Sequence, residues 1–502
     1  EPLLDFPDPT VMDLWNNTDL TDWLTLYAPI NDMRIRFKEN IGKIINLEKI
    51  AMTKYPLKSR PVLTKVCFEE GRSIIGRLGS VAYIRRNTPN PYKLVIDMCD
   101  TYFRPDWRSY VHKYRSEPIM INHASVELWI QENKDCPKIV KEMLCTLSGD
   151  ILVKHINDVN VHLKLESLYK EEPINHWKQQ QARIIVWQRK SICALFSPVF
   201  KEAKSRLIQI LANDIIYADG LRPDELSARA RLCSDVVGFF ENDLTKQDRQ
   251  TDSHIIRVEL MMYELLGVSH KILSSWKEMH EKWRFKSSSY WGTREAMRLT
   301  GQATTAIGNC ITNLQVHQDF VKKNRGILKL AMFLGDDMCM AFSQKPSIKN
   351  LKKNIAVNFN MQSKESWNEN YGNFCSMLFS PIEKGRFELC PDIVRLKFRY
   401  EVTNGVHEAT PLNILMRKAS YLMMIGDIPF SDQVVQSLKL PIKPVKWYAY
   451  HKMIETVGKK YDMNNFQVEG YYHQLLDMLK SDELFRYNFR VFSSDAGKHR
   501  QN

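Results

Sequence analysis

The sequence predicts a mixed α+β protein of the α/β class, and three observations support that expectation. Short apolar runs that end on polar residues alternate with longer stretches in which apolar side chains recur at helical spacing. No repeat of about 20 to 50 residues, heptad run or low-complexity block occurs, which disfavours a solenoid or a coiled coil. Hydrophobic residues make up 44% and charged residues 26% of the 502 residues, as in ordinary globular proteins, so a mostly disordered chain is excluded.

The first half of the chain carries few chemical motifs. We expect residues 1–110 to form a helical, loop-rich lobe. An apolar run at residues 183–187 predicts a strand, and a helix is expected over residues 199–211. The order of strand and then helix is typical of the predicted fold class.

The second half contains two strands that end on carboxylates. Residues 236–243 predict a buried strand that ends at Asp243, and a helix is expected over residues 255–265. A strand at 327–334 runs into Gly335-Asp336-Asp337 and returns at 338–342, which predicts a hairpin with an acidic tip. The last hundred residues are expected to be mainly helical.

Charge and cysteine content narrow the class of partner and the compartment. The chain has 71 Lys+Arg against 58 Asp+Glu, a formal net charge of +13, which implies an anionic partner such as a polyphosphate, a nucleic acid or a membrane surface. Ten irregularly spaced Cys do not form a disulfide framework, so we expect reduced thiols inside a cell. No apolar stretch approaches the roughly 18 to 20 residues of a membrane span, and no signal peptide is expected.

Carboxylates at the ends of two apolar strands are the ligands that a pair of hard divalent cations needs. We therefore expect Asp243, Asp336 and Asp337 to hold metal and to be catalytic, with Mg²⁺ as the ion and Mn²⁺ as the alternative. A simple polar turn is the other interpretation of Gly335-Asp336-Asp337.

A Gly/Thr-rich segment at 300–309 lies between these two acidic sites. Thr305 and Asn309 are four residues apart and so share one face of the helix that is expected to follow Gly301. Asn309 could then bind a ribose 2′-hydroxyl with Asp248 as its partner. A helix start that Thr300 caps is the alternative.

Taken in order, these segments resemble motifs A, B and C of viral RNA-dependent RNA polymerases. The three segments are Asp243-x4-Asp248, Thr300-Gly301-x3-Thr305-x3-Asn309 and Gly335-Asp336-Asp337, with 58 residues from Asp243 to Gly301 and 34 from Gly301 to Gly335. Residues 360–364 are similar to motif D, residues 373–379 to motif E, and Lys164, Lys170, Lys178 and Arg183 to the basic motif F. The resemblance covers about residues 160–400 and points to the alphavirus-like superfamily of positive-strand RNA viruses.

The resemblance implies a right-hand polymerase fold with fingers, palm and thumb. We expect an N-terminal extension and fingers at 1–110, fingers with motif F at 111–235, a palm at 236–400 with a fingers insertion near 265–295, and a thumb at 401–502. The resemblance further implies a catalytic role for Lys364 as the proton donor to departing pyrophosphate. Nucleotide binding is expected at Asp248, Gly301, Thr305, Asn309, Arg183, Lys170 and Lys164.

Several assignments keep an alternative. Lys352 or Lys353 could take the role of Lys364, and Asp252 is expected to cap a helix rather than to bind metal. A set of C-terminal lysines is either an RNA-binding surface or a solvated helical face: Lys439, Lys443, Lys446, Lys452, Lys459 and Lys460.

The implied activity is template-directed RNA synthesis from ribonucleoside triphosphates in viral genome replication and transcription. A reverse transcriptase and a non-catalytic RNA-binding scaffold are the rivals. The resemblance also implies RNA template and product as partners, together with other replicase proteins such as a capping enzyme and a helicase. Location in the host cytoplasm is expected, in a replication complex that contacts membrane only through partners.

Overall fold

The computed structural model describes residues 33–37, 48–52, 67–79, 87–133, 135–146, 156–164, 183–288, 290–404, 411–426, 428–442, 450–481 and 485–489. The strands β1 to β16 are, in order, Met33–Phe37, Glu48–Met52, Asp158–Leu163, Ile184–Gln188, Ile215–Tyr217, Gly238–Leu244, Lys282–Lys286, Tyr290–Glu295, Leu328–Leu334, Asp337–Phe342, Ser363–Asn368, Gly372–Phe374, Met377–Pro381, Phe387–Pro391, Val402–Asn404 and Phe485–Phe489.

The helices α1 to α17 are, in order, Cys67–Leu78, Pro91–Tyr102, Trp107–Ser116, His123–Glu132, Cys136–Thr146, Lys190–Ile210, Pro223–Arg231, Gln247–Gln250, Ser253–Leu265, His270–Glu281, Thr305–Lys323, Leu351–Phe359, Ile393–Glu401, Pro411–Ile425, Ser431–Ser437, Tyr450–Tyr461 and Asn465–Lys480. The mixed α+β class is confirmed.

A five-stranded sheet in the order β11-β6-β10-β9-β5 forms the centre of the molecule. Its neighbours are antiparallel except for β5 and β9. Both faces of β6 are covered by other elements. Successive side chains of a strand point to opposite sides, so neighbouring residues of β6 pack on different elements. Phe240 packs on Phe320 of α11, with ring centroids 4.6 Å apart, and Phe239 stacks on Phe379 of β13 at 5.8 Å.

A second five-stranded sheet has the order β1-β8-β7-β3-β4. The β7–β8 hairpin lies between α10 and α11 in the chain. It pairs with β1 and β3, which come from distant parts of the sequence, and β4 joins the sheet through β3. Strand β4 also meets the loop before α11, since Gly301 N donates to Val186 O over 2.8 Å. Strand β4 of this sheet is thereby hydrogen-bonded to the segment that leads into α11.

The C-terminal helices share a buried core, which includes Leu422, Val457, Val468 and Leu475 and extends to Leu378 of β13 and Cys390 of β14. A small sheet in the order β15-β2-β16 pairs a segment near the start of the chain with two segments near its end. Within the described residues, no helix combines the length and apolar character that a membrane crossing requires.

Most of the strands and helices expected from the sequence are present, with shifted ends. The strand expected at 183–187 is β4, the helix expected at 199–211 begins nine residues earlier as α6, and the acidic hairpin is β9 and β10. The region 1–110 was expected to be helical, but β1 and β2 lie in it. Both strands pair only with distant partners, and such pairing is not encoded in local periodicity.

Candidate active site

Strand β6 carries two carboxylates on one face and an amide on the other. Glu241 and Asp243 are two residues apart, so they point to the same side, away from the α11 side that holds Asn242. Glu241 accepts hydrogen bonds from the backbone and side chain of Asn373, which fixes β12 against this face. The strand extends one residue past Asp243, to Leu244.

The acidic hairpin turns in two residues, because Leu334 and Asp337 pair across it. Gly335 occupies the first turn position with φ of +61°, whereas Asp336 keeps a negative φ. Glycine in this place is typical of type II′ hairpin turns, whose twist matches that of the strands. Gly335 therefore lets the turn present Asp336 and Asp337 next to β6, the neighbour of β10.

Asp243, Asp336 and Asp337 line one cavity of about 160 Å³, together with Glu241, Asn373, Cys375, Ser376 and Arg395. Partial removal from water raises the pKa of Asp243, and the charge of Asp336 raises it further. The same two causes raise the pKa of Asp337, against the lowering effects of a Cys375 hydrogen bond and of Arg395. The three carboxylates thus repel one another in a confined space, where a cation would stabilise them.

The donor set suits a hard divalent cation, since all three ligands are carboxylate oxygens. Among the described residues, however, no group of three or more His, Cys, Asp and Glu side chains is arranged to hold a metal ion. The metal role of Asp243, Asp336 and Asp337 therefore stays a prediction.

The expected partnership of Asp248 and Asn309 is present. Asn309 Nδ2 donates to Asp248 Oδ1 over 2.9 Å, and the Asn309 side chain is buried. Burial raises the pKa of Asp248, the Asn309 hydrogen bond lowers it, and the charge of Asp336 raises it. Since Asp336 influences this carboxyl, the pair lies within electrostatic range of the acidic cavity.

Thr305 and Gly301 shape the loop before α11. The Thr305 hydroxyl donates to Leu299 O (2.6 Å) and accepts from Gln302 N (3.0 Å), so it holds the loop. A Cβ on Gly301 would lie 3.0 Å from both Trp187 Cβ and Val186 O, so a larger residue would push the loop from β4. The residue before α11 is Thr304, while the Thr300 hydroxyl accepts from Val186 N, so the alternative cap at Thr300 is wrong.

Two further assignments gain geometric support. Lys364 lies on β11 directly opposite Asp243, and its charge lowers the pKa of that carboxyl. Lys352 and Lys353 line a different cavity. Asp252 caps α9, where its side chain accepts from His254 N and Ile255 N.

The basic residues of the first half are only partly described. Lys164 and Arg183 are exposed and adjacent, since Lys164 N donates to Arg183 O over 2.7 Å at the ends of β3 and β4. Lys170 and Lys178 lie outside the described residues. Strand β4 connects to the site through the bridge between Trp187 and Gly301.

Sequence reasoning named Asn309 but missed that Asn313 and His317 continue from it as a row of polar side chains along α11 at four-residue spacing. Asn313 Nδ2 donates to Gly335 O (3.0 Å) and Asp336 O (2.9 Å) and so holds the hairpin turn. His317 Nδ1 lies 2.8 Å from Asn313 O and its Nε2 lies 2.9 Å from Asn242 Nδ2. Burial lowers the pKa of His317 to about 4, so the ring is neutral, with Nδ1 donating and Nε2 accepting. The polar spacing itself could have revealed this row, which we call the α11 seam.

Comparison with known proteins assigns the chain to a family. A family model described as RNA dependent RNA polymerase matches residues 90–403, more than half of the chain. The chain belongs to the RNA-dependent RNA polymerase family. The matched segment contains the acidic cavity, the Asp248–Asn309 pair and the α11 seam.

Curated relatives of this polymerase are viral replication proteins. The chain is 27% identical over 248 residues to the replicase polyprotein 1ab of Beet yellows virus (isolate Ukraine), covering 47% of the chain and 8% of that protein. It is 25% identical over 321 residues to the replicase large subunit of Pepper mild mottle virus (strain Spain), covering 61% and 19%. It is 23% identical over 418 residues to the RNA replication protein of Citrus leprosis virus C (isolate Citrus sinesis/Brazil/Cordeiropolis/2003), covering 78% and 15%.

The chain thus spans less than a fifth of the length of these relatives. The expected membership among viral polymerases of the alphavirus-like superfamily is confirmed.

Proposed function

We propose that this chain catalyses template-directed RNA synthesis from ribonucleoside triphosphates in the replication and transcription of a viral RNA genome. One observation carries the proposal: Asp243 and the Asp336-Asp337 turn, which are distant in sequence, line one cavity within the segment that the polymerase family model matches. The names of the relatives, which describe replicases and a replication protein, point to the same process.

Asp243, Asp336 and Asp337 would hold the divalent cations, with Mg²⁺ as the ion and Mn²⁺ as the alternative. Bound there, the cations would supply Lewis-acid stabilisation of the charge on the reacting phosphate. In the reaction, a 3′-hydroxyl would attack the α-phosphate: a P–O bond to the 3′-oxygen forms, the bond from the α-phosphorus to the bridging oxygen breaks, pyrophosphate leaves and the hydroxyl proton passes to water. Lys364, which pairs with Asp243 across β11 and β6, would give a proton to that leaving group.

Selection of the nucleotide falls to the start of α11 and the basic strand ends. Asn309, oriented by Asp248, would bind the ribose 2′-hydroxyl, and Thr305 and Gly301 would keep the adjoining loop in place. Lys164, Lys170 and Arg183 would neutralise the triphosphate, because guanidinium and ammonium groups make charge-assisted hydrogen bonds to phosphate.

The proposed domain division follows the right-hand arrangement. Strands β6 and β9 to β14 would form the palm at 236–400, with β5 of the 111–235 segment added to the edge of the central sheet. The hairpin of β7 and β8 would be the fingers insertion near 265–295. Its pairing with strands from 1–110 and 111–235 supports a common fingers unit. The buried core that the C-terminal helices share supports a thumb at 401–502, and Leu378, Cys390 and Ile393 join that core from the proposed palm.

The partners would be RNA template and product and the nucleotides. Because the relatives are far longer than this chain, other replicase parts such as a capping enzyme and a helicase would act with it, in a membrane-associated complex of the host cytoplasm.

The first test replaces Asp336 by Ala. D336A should abolish primer extension on an RNA template, because a carboxylate of the cavity is lost, while thermal stability and RNA binding stay near those of the unmodified chain. Asp319→Ala is the matched control, since this exposed Asp lies on the outer side of α11 and pairs with Lys323. Extension by D336A at the unmodified rate would exclude the proposed function.

The same assay separates the rival functions. A preference for deoxyribonucleotides would identify a reverse transcriptase. RNA binding without incorporation of either sugar, in Mg²⁺ and in Mn²⁺, would identify a scaffold.

A further inference from the structure

Arg298 and Glu259 form an ion pair deep inside the protein, next to the site but outside the acidic cavity. Their side chains are 0% and 3% exposed. Arg298 Nη1 donates to Glu259 Oε1 over 2.9 Å, and Nη2 donates to Oε2, so the contact is bidentate. Tyr263 completes the acceptor side by donating to Glu259 Oε1 over 2.7 Å.

Arg298 contacts both of the segments that carry the partners of the predicted sugar contact. Arg298 N donates to Asp248 O over 3.1 Å. Arg298 Nη1 also reaches the hydroxyl of Thr304, the residue before α11, at 3.3 Å. Arg298 therefore connects the two segments: its backbone binds that of Asp248, and its side chain binds the residue before the helix that holds Asn309.

The first turn of α11 lies directly on the ion pair. A Cβ on Gly308 would collide with the Arg298 guanidinium and lie 2.6 Å from Glu259 Oε1. Gly308 immediately precedes Asn309. The distance between the helix and the Arg298 guanidinium therefore sets the position of Asn309 relative to Asp248. Glycine permits that approach, and the guanidinium defines its limit.

Stability alone does not account for such a pair. Removing two charges from water costs about as much as their attraction returns, and apolar side chains of the same volume are often as good or better. A guanidinium, in contrast, provides a rigid fork that lysine cannot imitate. A role in aligning neighbouring segments explains why an arginine and a glutamate occupy these two buried positions.

We propose that the Arg298–Glu259 ion pair is a positioning device that holds Asn309 against Asp248 and thereby sets selection for ribose over deoxyribose. This inference rests on the proposed polymerase function. In this proposal Arg298 and Glu259 do not contact the substrate, and they act only through the positions of Asp248 and Asn309.

The test measures kcat and KM for a ribonucleotide and for the matching deoxyribonucleotide on an RNA template. In Arg298→Lys and Glu259→Gln, the ratio of the two kcat/KM values should fall about tenfold, because a misaligned Asn309 weakens the 2′-hydroxyl contact in the transition state. Deoxyribonucleotide incorporation should stay nearly constant. Glu259→Gln keeps the shape of the side chain and carries the test if Arg298→Lys does not fold.

A double-mutant cycle shows whether the effect passes through Asn309. Asn309→Ala should lower the ratio, and adding Arg298→Lys should lower it no further. Arg206→Lys is the matched control: Arg206 is also buried, holds Leu266 O and Glu117 O, and should lower incorporation of both sugars equally, if at all.

The outcomes are distinct. A parallel fall for both sugars in Arg298→Lys and Glu259→Gln would reduce the ion pair to a structural role and overturn this inference alone. Absence of incorporation of either sugar by the unmodified chain would overturn the proposed function and the inference that rests on it.

Discussion

At the level of single residues, spacing in the sequence predicts some contacts of this site well. Asp243 lines one cavity with the Asp336-Asp337 turn, and Asp248 meets Asn309, because strand ends and helical i, i+4 positions fix where such side chains point. Arg298 and Glu259 gave no such indication, since nothing in the sequence distinguishes a buried arginine from an exposed one. Their role depends on tertiary contact with Gly308.

His280 is a buried imidazole with a consequence for pH dependence. It lies between Trp276 O and the Gln302 side chain, and burial lowers its pKa to about 4 from the ordinary 6.5. Of the charged groups near it, Glu259 raises this pKa and Arg298 lowers it.

We therefore expect folding stability to fall as the pH drops from about 6.5 to 4, because only the unfolded chain takes up the proton there. Above that window the contribution is constant, and between pH 7 and 5 it should change by roughly 2 kcal/mol. Urea unfolding of the native chain and of His280→Gln at both pH values measures it. The variant should show the smaller difference between the two pH values, and equal differences would contradict a neutral buried His280.

At the level of elements, α11 does more than carry the sugar-selecting residue. Its seam reaches Asp248 through Asn309, the acidic turn through Asn313 and the Asn242 side chain through His317. One rigid helix thus sets the mutual position of three segments that contribute to the site.

Asn313→Ala should test this arrangement. The change leaves the carbonyls of Gly335 and Asp336 without their amide donor, so stability should fall by about 1 to 3 kcal/mol. Primer extension should fall by roughly a factor of ten or more, because the turn that presents Asp336 is no longer held. Thermal unfolding and single-turnover extension are the measurements.

Gln318→Ala is the matched control for this prediction. Gln318 is a buried amide of the same helix that contacts Thr101 of α2, away from the acidic turn. The Gln318→Ala variant should lose about as much unfolding free energy as Asn313→Ala and should keep the extension rate of the native chain. Equal rates for Asn313→Ala and the native chain would show that the turn holds itself.

Elements with a strong local pattern could be predicted, and those that depend on distant partners could not. The apolar runs at 327–334 and 338–342 and the glycine at the turn between them suffice to predict the β9–β10 hairpin. Strands β1 and β2 are five residues each and exist through pairing with β8, β15 and β16. Short segments of this kind carry too little periodicity to be distinguished from loop.

At the level of the whole molecule, the net charge of +13 is not spread evenly over binding surfaces. Of the C-terminal lysines, Lys460 is unsuited to RNA, because its side chain is 7% exposed and paired with Asp392. Lys439 is exposed, and Lys452 and Lys459 share Glu455 at the surface. Lys443 and Lys446 lie outside the described residues.

RNA retention should weaken steeply with salt, since phosphate contacts release counterions. We expect the triple variant of Lys439, Lys452 and Lys459 to Gln to reduce the slope of log affinity against log salt by about 0.7 for each lost contact. Lys460→Met should leave the slope unchanged and lower thermal stability. Filter binding across a salt series measures the slope, and an unchanged slope in the triple variant would assign these lysines to a solvated face.

The sheet of β15, β2 and β16 has a consequence for how the chain folds. Glu48 pairs with Phe489 and Met52 with Phe485, so nearly the entire sequence forms the loop that this sheet closes. Closing so long a loop costs chain entropy before any contact compensates, and pairings of this separation form slowly. During synthesis, β2 cannot pair until β15 and β16 have been made, by which time most of the chain has been synthesised. Until then both edges of β2 are open to other chains, which makes this short segment the place where a nascent polymerase most needs protection.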